Sequence, residues 1–155
     1  MCSYLAQSKS GHYWVAGAAA GWALVFAAFH VVWASGWYIG LDAAQARVAF
    51  AKPWFLAYDL VVACMCVVAV PVSLHLGHLW GQRLPRRLVL TLAWIGTTLL
   101  VLRALGSLGQ GVYEVWTGRF TLQRMGIWEP WFYTGAALFS INLWLYRRRM
   151  RSGAA

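Results

Sequence analysis

The sequence "YWVAGAAAGWALVFAAFHVVWAS", residues 13 to 35, is an apolar run that carries one basic side chain, His30. A helix of about 20 apolar residues is long enough to cross the roughly 30 Å hydrocarbon core of a bilayer. The run meets that length, and no Asp, Glu, Lys or Arg interrupts it. It predicts a transmembrane helix, in which an imidazole needs a polar partner.

The rest of the chain has the same apolar character. Of its 155 residues 61% are hydrophobic and only 11% are charged, whereas roughly a quarter of the residues in soluble domains are charged. Three further apolar stretches approach the length of a membrane span. We therefore predict an all-α fold, a transmembrane four-helix bundle that forms one domain over residues 1–155. The predicted spans are about 13–35, 54–76, 88–108 and 130–146.

The basic residues lie mainly at the ends of the apolar runs. A net charge of +9 would suggest nucleic-acid binding in a soluble protein. Here the position of the basic residues at the ends of apolar runs is explained by membrane topology instead. We therefore expect the lipid bilayer as a partner and no nucleic acid. Because Lys and Arg accumulate on the cytoplasmic side, both termini are predicted to be cytoplasmic, with loops 36–52 and 109–129 outside. The basic residues predicted inside are Lys9, Arg83, Arg86, Arg87, Arg147, Arg148, Arg149 and Arg151.

Two further ionisable residues lie within predicted spans, Asp59 in the second and Arg103 in the third. Together with His30, each lies about six residues from the outer end of its span, roughly 9 Å deep at 1.5 Å per residue. An arginine in hydrocarbon costs at least about 2.5–3.5 kcal/mol, so it should face the interior and have a partner. Asp59 is the predicted partner of Arg103, and His30 can donate to the same carboxylate or serve as a neutral acceptor.

Two interpretations of these three residues stay open at this point. They form either a structural network that fixes how the helices pack or the lining of an outward-facing ligand pocket. In the pocket, Arg103 would bind a carboxylate, phosphate or carbonyl, His30 could exchange a proton, and Asp59 would orient His30. The residues proposed to contact the ligand are His30, Trp33, Asp59, Arg103, Trp37 and Glu129.

The remaining polar residues carry weaker signals. In "HLGH", His75 and His78 share one helix face, but no third ligand is identifiable, so we interpret them as solvated histidines and expect neither a metal nor a cofactor. Glu129 lies near the start of the fourth predicted span, where an acidic residue is expected to cap the helix. It also lies near the outer mouth of the proposed pocket. Asn142 is expected to form an interhelical hydrogen bond.

Three motifs give the chain a family resemblance. "HVVWASGW" at 30–37, "LRALG" at 102–106 and "WEPWFYTGAALF" at 128–139 resemble the bacterial four-span membrane family called domain of unknown function 3995. The resemblance implies a His-x-x-Trp at the end of the first span, an Arg followed by Gly late in the third, and an acid at the start of the fourth. It also implies a multi-pass protein of the bacterial inner membrane, and it assigns no activity.

The function predicted from the sequence is the binding of a small polar or amphiphilic ligand in a pocket lined by His30, Asp59 and Arg103. The first alternative is an accessory or structural subunit of a larger membrane complex, which a sealed interior and a groove of small residues would favour. The second is a small membrane enzyme or proton-coupled carrier. No serine or cysteine has a clearly matching depth and face, which argues against a Ser-His-Asp hydrolase, and a carrier would need a polar path across the membrane.

Overall fold

The computed structural model describes residues 2–77, 85–118 and 128–153, with side chains from residue 12 onward except at position 128. Within these ranges the chain is helical and contains no strand, which confirms the all-α prediction. The helices are α1 (Cys2–Ala34), α2 (Ala43–Phe50), α3 (Pro53–Leu76), α4 (Arg86–Trp116) and α5 (Trp128–Arg151).

Three of these helices are long and apolar enough to cross a membrane. They provide the segments His12–Ala34, Pro53–Leu76 and Arg86–Trp116. Helix α5 has 24 residues and is about 36 Å long, but it is not among these three, since Asn142 and a terminal run of arginines lower its apolar character. The structure thus indicates a membrane protein with three candidate spans in its described residues, where the sequence predicts four.

The segments predicted as outer loops contain more helix than expected. Helix α2 lies within 36–52, where the Asp42 side chain caps it by accepting a hydrogen bond from the Gln45 N–H at 2.9 Å. Helix α4 continues through the first residues of 109–129 and ends at Trp116. Thr117 is its C-cap, and Gly118, which follows, has a positive φ of 68°. The prediction ended the third span where hydropathy falls, but backbone hydrogen bonds extend a helix through polar residues just as well.

The interior is built around the small side chains of α1. Ala16, Ala19, Ala23 and Ala27 are almost fully buried and recur every three or four residues, which allows a neighbouring backbone to approach closely. Around this stripe lies an aromatic cluster that reaches α3 and α5. The buried members of this cluster are Ala19, Trp22, Ala23, Phe26, Ala27, Trp33, Cys66 and Phe139.

Polar residues connect the helices near Leu76, where α3 ends. His12 is buried, with its Nε2 2.9 Å from the Leu76 carbonyl. Asn142 donates to the Ser73 carbonyl at 3.3 Å, which confirms the predicted interhelical hydrogen bond. His75 is buried as well, so its interpretation as a solvated histidine is wrong, because α3 turns this residue toward its neighbours. His78 lies outside the described residues.

Candidate functional site

The site begins with a hydrogen bond between α1 and α3. The Nδ1 atom of His30 lies 2.6 Å from Oδ1 of Asp59, and both side chains are buried. With Asp59 ionised and the ring neutral, the hydrogen lies on Nδ1 and Nε2 is an acceptor, because an ionised carboxylate only accepts hydrogen bonds. That Nε2 is buried and has no hydrogen-bond partner.

Arg103 lies on α4 and binds a different carboxylate from the one predicted. Its Nη2 donates to Oε1 of Glu129 at 3.1 Å, its Nη1 donates to the Ser107 hydroxyl, and its guanidinium lies 4.3 Å from the centre of the Phe132 ring. The structure corrects the predicted pairing of Arg103 with Asp59, because the first turn of α5 brings Glu129 to the guanidinium while His30 engages Asp59. The Arg103 side chain remains 45% exposed.

His30 and Arg103 line the same cavity, which has a volume of about 290 Å³ and which we call the head cavity. Asp59 supports the imidazole and Glu129 holds the guanidinium. The other lining residues are mainly apolar: Trp22, Phe26, Tyr58, Val62, Met65, Cys66, Ala69, Gly96, Leu99, Leu100, Phe132 and Phe139.

The two tryptophans predicted as pocket walls lie outside this lining. Trp33 is buried, its ring centre is 5.0 Å from that of His30, and its Nε1 donates to the Ile39 carbonyl. It therefore packs beside the imidazole and anchors the turn that follows α1. Trp37 follows that turn and is 70% exposed.

Sequence reasoning missed several of the aromatic side chains that line the cavity, among them Trp22 and Phe132. Trp22 and Phe26 precede His30 by eight and four residues, so all three share one face of α1, a spacing that could have revealed Trp22. Phe132 follows Glu129 by one helical turn on α5 and could have been found in the same way. Cys66 also lines the cavity, although the sequence predicted no cysteine with a clearly matching depth and face.

A close contact between α1 and α5 sets the position of Trp22. Its Nε1 donates to the Trp131 carbonyl at 3.0 Å, and its ring packs directly against Gly135. A Cβ atom added to Gly135 would lie 2.4 Å from the ring of Trp22, closer than real Cβ contacts allow. Gly135 therefore lets the indole pack against the α5 backbone.

The donor set differs from that of a metal centre. Among the residues that the structure describes, no three or more His, Cys, Asp or Glu side chains come close enough to hold a metal ion. His30 and Asp59 form a pair, and Glu129 binds the guanidinium of Arg103.

A family model described as "Protein of unknown function (DUF3995)" matches residues 23–139, well over half of the chain. The chain belongs to the DUF3995 family. The four polar residues of the site, His30, Asp59, Arg103 and Glu129, all lie within the matched part of this DUF3995 chain. No curated protein and no solved structure matches it.

The DUF3995 chain thus combines complementary groups in one apolar cavity. Nε2 of His30 can accept a hydrogen bond or a proton, and the guanidinium of Arg103 offers donors to a carbonyl or carboxylate. The Ser107 hydroxyl is engaged with Arg103 and donates to its own helix, to the Arg103 carbonyl at 3.1 Å. The arrangement is suited to hold a polar group that donates on one side and accepts on the other.

Proposed function

We propose that this protein is an integral membrane protein that binds a small polar or amphiphilic ligand in the head cavity. In this proposal His30 accepts a hydrogen bond from the ligand, Arg103 donates one, and Asp59 orients His30. The observation that carries the proposal is that His30, whose buried Nε2 has no hydrogen-bond partner, lines the same cavity as Arg103.

The free-energy cost of that nitrogen supports the proposal. A buried polar atom without a partner costs about 1–3 kcal/mol, and such atoms are uncommon in folded proteins. A ligand hydroxyl or acid group that donates to Nε2 would recover this cost. Since the hydrogen bond to Asp59 holds the ring, the acceptor stays directed away from that carboxylate.

The distribution of charge supports an orientation for the site. Most Lys and Arg residues flank the helix ends that lie away from the head cavity. Under the positive-inside rule this distribution favours cytoplasmic termini and a head cavity near the outer face. With α5 as a fourth span, the protein would be a four-helix bundle with an outward-facing site. The family resemblance supports a location in a bacterial inner membrane.

The alternatives of a different class have less support. An accessory subunit needs no internal cavity, whereas here a cavity with two polar groups lies among α1, α3, α4 and α5. A proton-coupled carrier has one supporting observation, the burial of His12, Ser73 and Asn142 at the other end of the protein. It would require these residues to connect with His30 across the apolar cluster between them.

Native mass spectrometry of the purified protein tests the proposal. We expect the parent to carry a small molecule that Arg103→Leu no longer retains. Arg47→Leu is the matched control, since Arg47 is an exposed arginine on α2, away from the cavity, and this variant should retain the molecule. Equal retention by the parent and Arg103→Leu, with both variants folded by circular dichroism, would contradict the proposal.

A further inference from the structure

A second cavity continues from the head cavity between α3 and α4. It has a volume of about 410 Å³, and we call it the tail slot. Both cavities are lined by Met65, Ala69, Gly96 and Phe139, so they adjoin. The other residues that line the tail slot are Leu60, Val61, Cys64, Val68, Val72, Leu92, Ala93 and Ile95.

The tail slot is apolar and elongated. No charged side chain lines it. Along α3 its lining runs from Leu60 to Val72, about 18 Å at 1.5 Å per residue. Several side chains of the slot, including Val61, Val68 and Ile95, are about half exposed, so the slot opens sideways onto the surface that a bilayer would cover. This shape fits one extended hydrocarbon chain.

The charges at the head cavity restrict the head group of the ligand. Arg103 is already compensated by Glu129, and His30 is bound to Asp59. The other titratable side chains that line the cavity, Tyr58 and Cys66, add no positive charge. An anion that entered alone would therefore lack an uncompensated cation, and a buried charge without a partner is unfavourable.

An acid that enters with its proton avoids this penalty. Its O–H donates to Nε2 of His30 while its carbonyl oxygen accepts from Arg103. If the proton moves, the O–H bond breaks and an Nε2–H bond forms, so that an imidazolium lies between the Asp59 carboxylate and the new ligand carboxylate. The summed charge of the site and its ligand is the same before and after this transfer.

From these observations, and resting on the proposed function, we infer that the ligand is a single-chain carboxylic acid. It binds in its protonated form, with its head between His30 and Arg103 and its hydrocarbon chain in the tail slot.

Binding of tritiated palmitic acid to the full-length protein in detergent micelles tests this inference, with hexanoic acid and hexadecan-1-ol as competitors. We expect palmitic acid to compete at least about tenfold better than hexanoic acid, a difference of about 1.4 kcal/mol, because only the longer chain fills the slot. We also expect hexadecan-1-ol to compete at least about tenfold more weakly than palmitic acid, because an alcohol has no carbonyl oxygen for Arg103.

A variant that blocks the slot separates the tail from the head. Val68 lines the slot but not the head cavity and is about half exposed, so Val68→Phe can fill the slot without entering the head cavity. We expect it to weaken palmitic acid at least about tenfold and to leave hexanoic acid unchanged. Val67→Phe is the matched control on the same helix, since Val67 is exposed and lines neither cavity. Cys64→Phe, at another position that lines only the slot, blocks it if Val68→Phe does not fold.

The outcomes distinguish this inference from the proposed function. If palmitic and hexanoic acids compete equally and the slot variants have no effect, the tail assignment is overturned, while ligand loss in Arg103→Leu would still uphold the proposed function. Equal competition by hexadecan-1-ol overturns the assignment of an acid head group. A second protein chain that occupies the slot, seen as a complex by native mass spectrometry, overturns the inference as well.

Discussion

His30 on α1 and Asp59 on α3 are joined by a 2.6 Å hydrogen bond inside the aromatic interior of the protein. The imidazole also packs edge-on against Phe26 and Trp33, with ring centres 4.5 and 5.0 Å away. These three contacts hold the ring. The pair connects two helices, and His30 is also one of the residues that line the head cavity.

The first prediction concerns the stability that this pair provides. Asp59→Asn keeps the shape of the side chain but removes its charge, and a hydrogen bond to a charged group contributes about 1.5–3 kcal/mol. We expect the free energy of unfolding to fall by about 2 kcal/mol, measured by tryptophan fluorescence during denaturation in mild detergent. Asp42→Asn is the control, because Asp42 is an exposed cap of α2, and it should cost about 1 kcal/mol or less. Equal losses of unfolding free energy in the two variants would show that the buried His30–Asp59 hydrogen bond stabilises the protein no more than the exposed cap at Asp42.

The second prediction concerns the other ion pair of the site. Arg103 and Glu129 are 45% and 23% exposed, and exposed ion pairs contribute about 1 kcal/mol or less. In a double-mutant cycle with Arg103→Leu and Glu129→Gln, we expect a coupling energy of about 1 kcal/mol or less. The same cycle on His30 and Asp59 should give a larger value. A larger coupling for Arg103 and Glu129 would instead make that pair the main electrostatic link of the site.

The third prediction concerns the contact of α1 with α5. Gly135→Ala places a Cβ atom against the Trp22 ring, so we expect a loss of about 1–3 kcal/mol from overpacking. Gly21→Ala is the matched control on α1, where a Cβ atom meets nothing within 4 Å, and it should be neutral or stabilise the helix by up to about 1 kcal/mol. Thermal unfolding of both variants in the same detergent provides the comparison, and no loss in Gly135→Ala would mean that Trp22 can move away from α5.

The fourth prediction concerns the proposed orientation in the membrane. Single cysteines are introduced at Gln45 or Ser152, both exposed and at opposite ends of the protein, after the three native cysteines are replaced by serine or alanine. A membrane-impermeant maleimide should label Gln45→Cys in intact spheroplasts and Ser152→Cys only after lysis. Labelling of Ser152→Cys before lysis would reverse the orientation and place the head cavity near the cytoplasm.

The sequence by itself determined the helical and membrane character of the chain. In lipid, a segment must satisfy its own backbone hydrogen bonds, so long apolar runs without charges leave little alternative to helices. Position along each run also indicated that His30, Asp59 and Arg103 lie at similar depth, because each residue advances a helix by a constant 1.5 Å. The contact of His30 with Asp59 follows that expectation.

Only the tertiary structure decided which side chains face each other at that depth. The rotation of each helix about its axis depends on packing, such as the alanine stripe of α1 and the contact of Trp22 with Gly135. The rotation of the helices brings Arg103 next to Glu129 rather than Asp59. It also leaves Trp37 outside the lining of the head cavity. The tail slot is likewise a tertiary feature, since it lies where α3 and α4 do not fill the space between them. The sequence of one helix does not indicate a gap beside that helix.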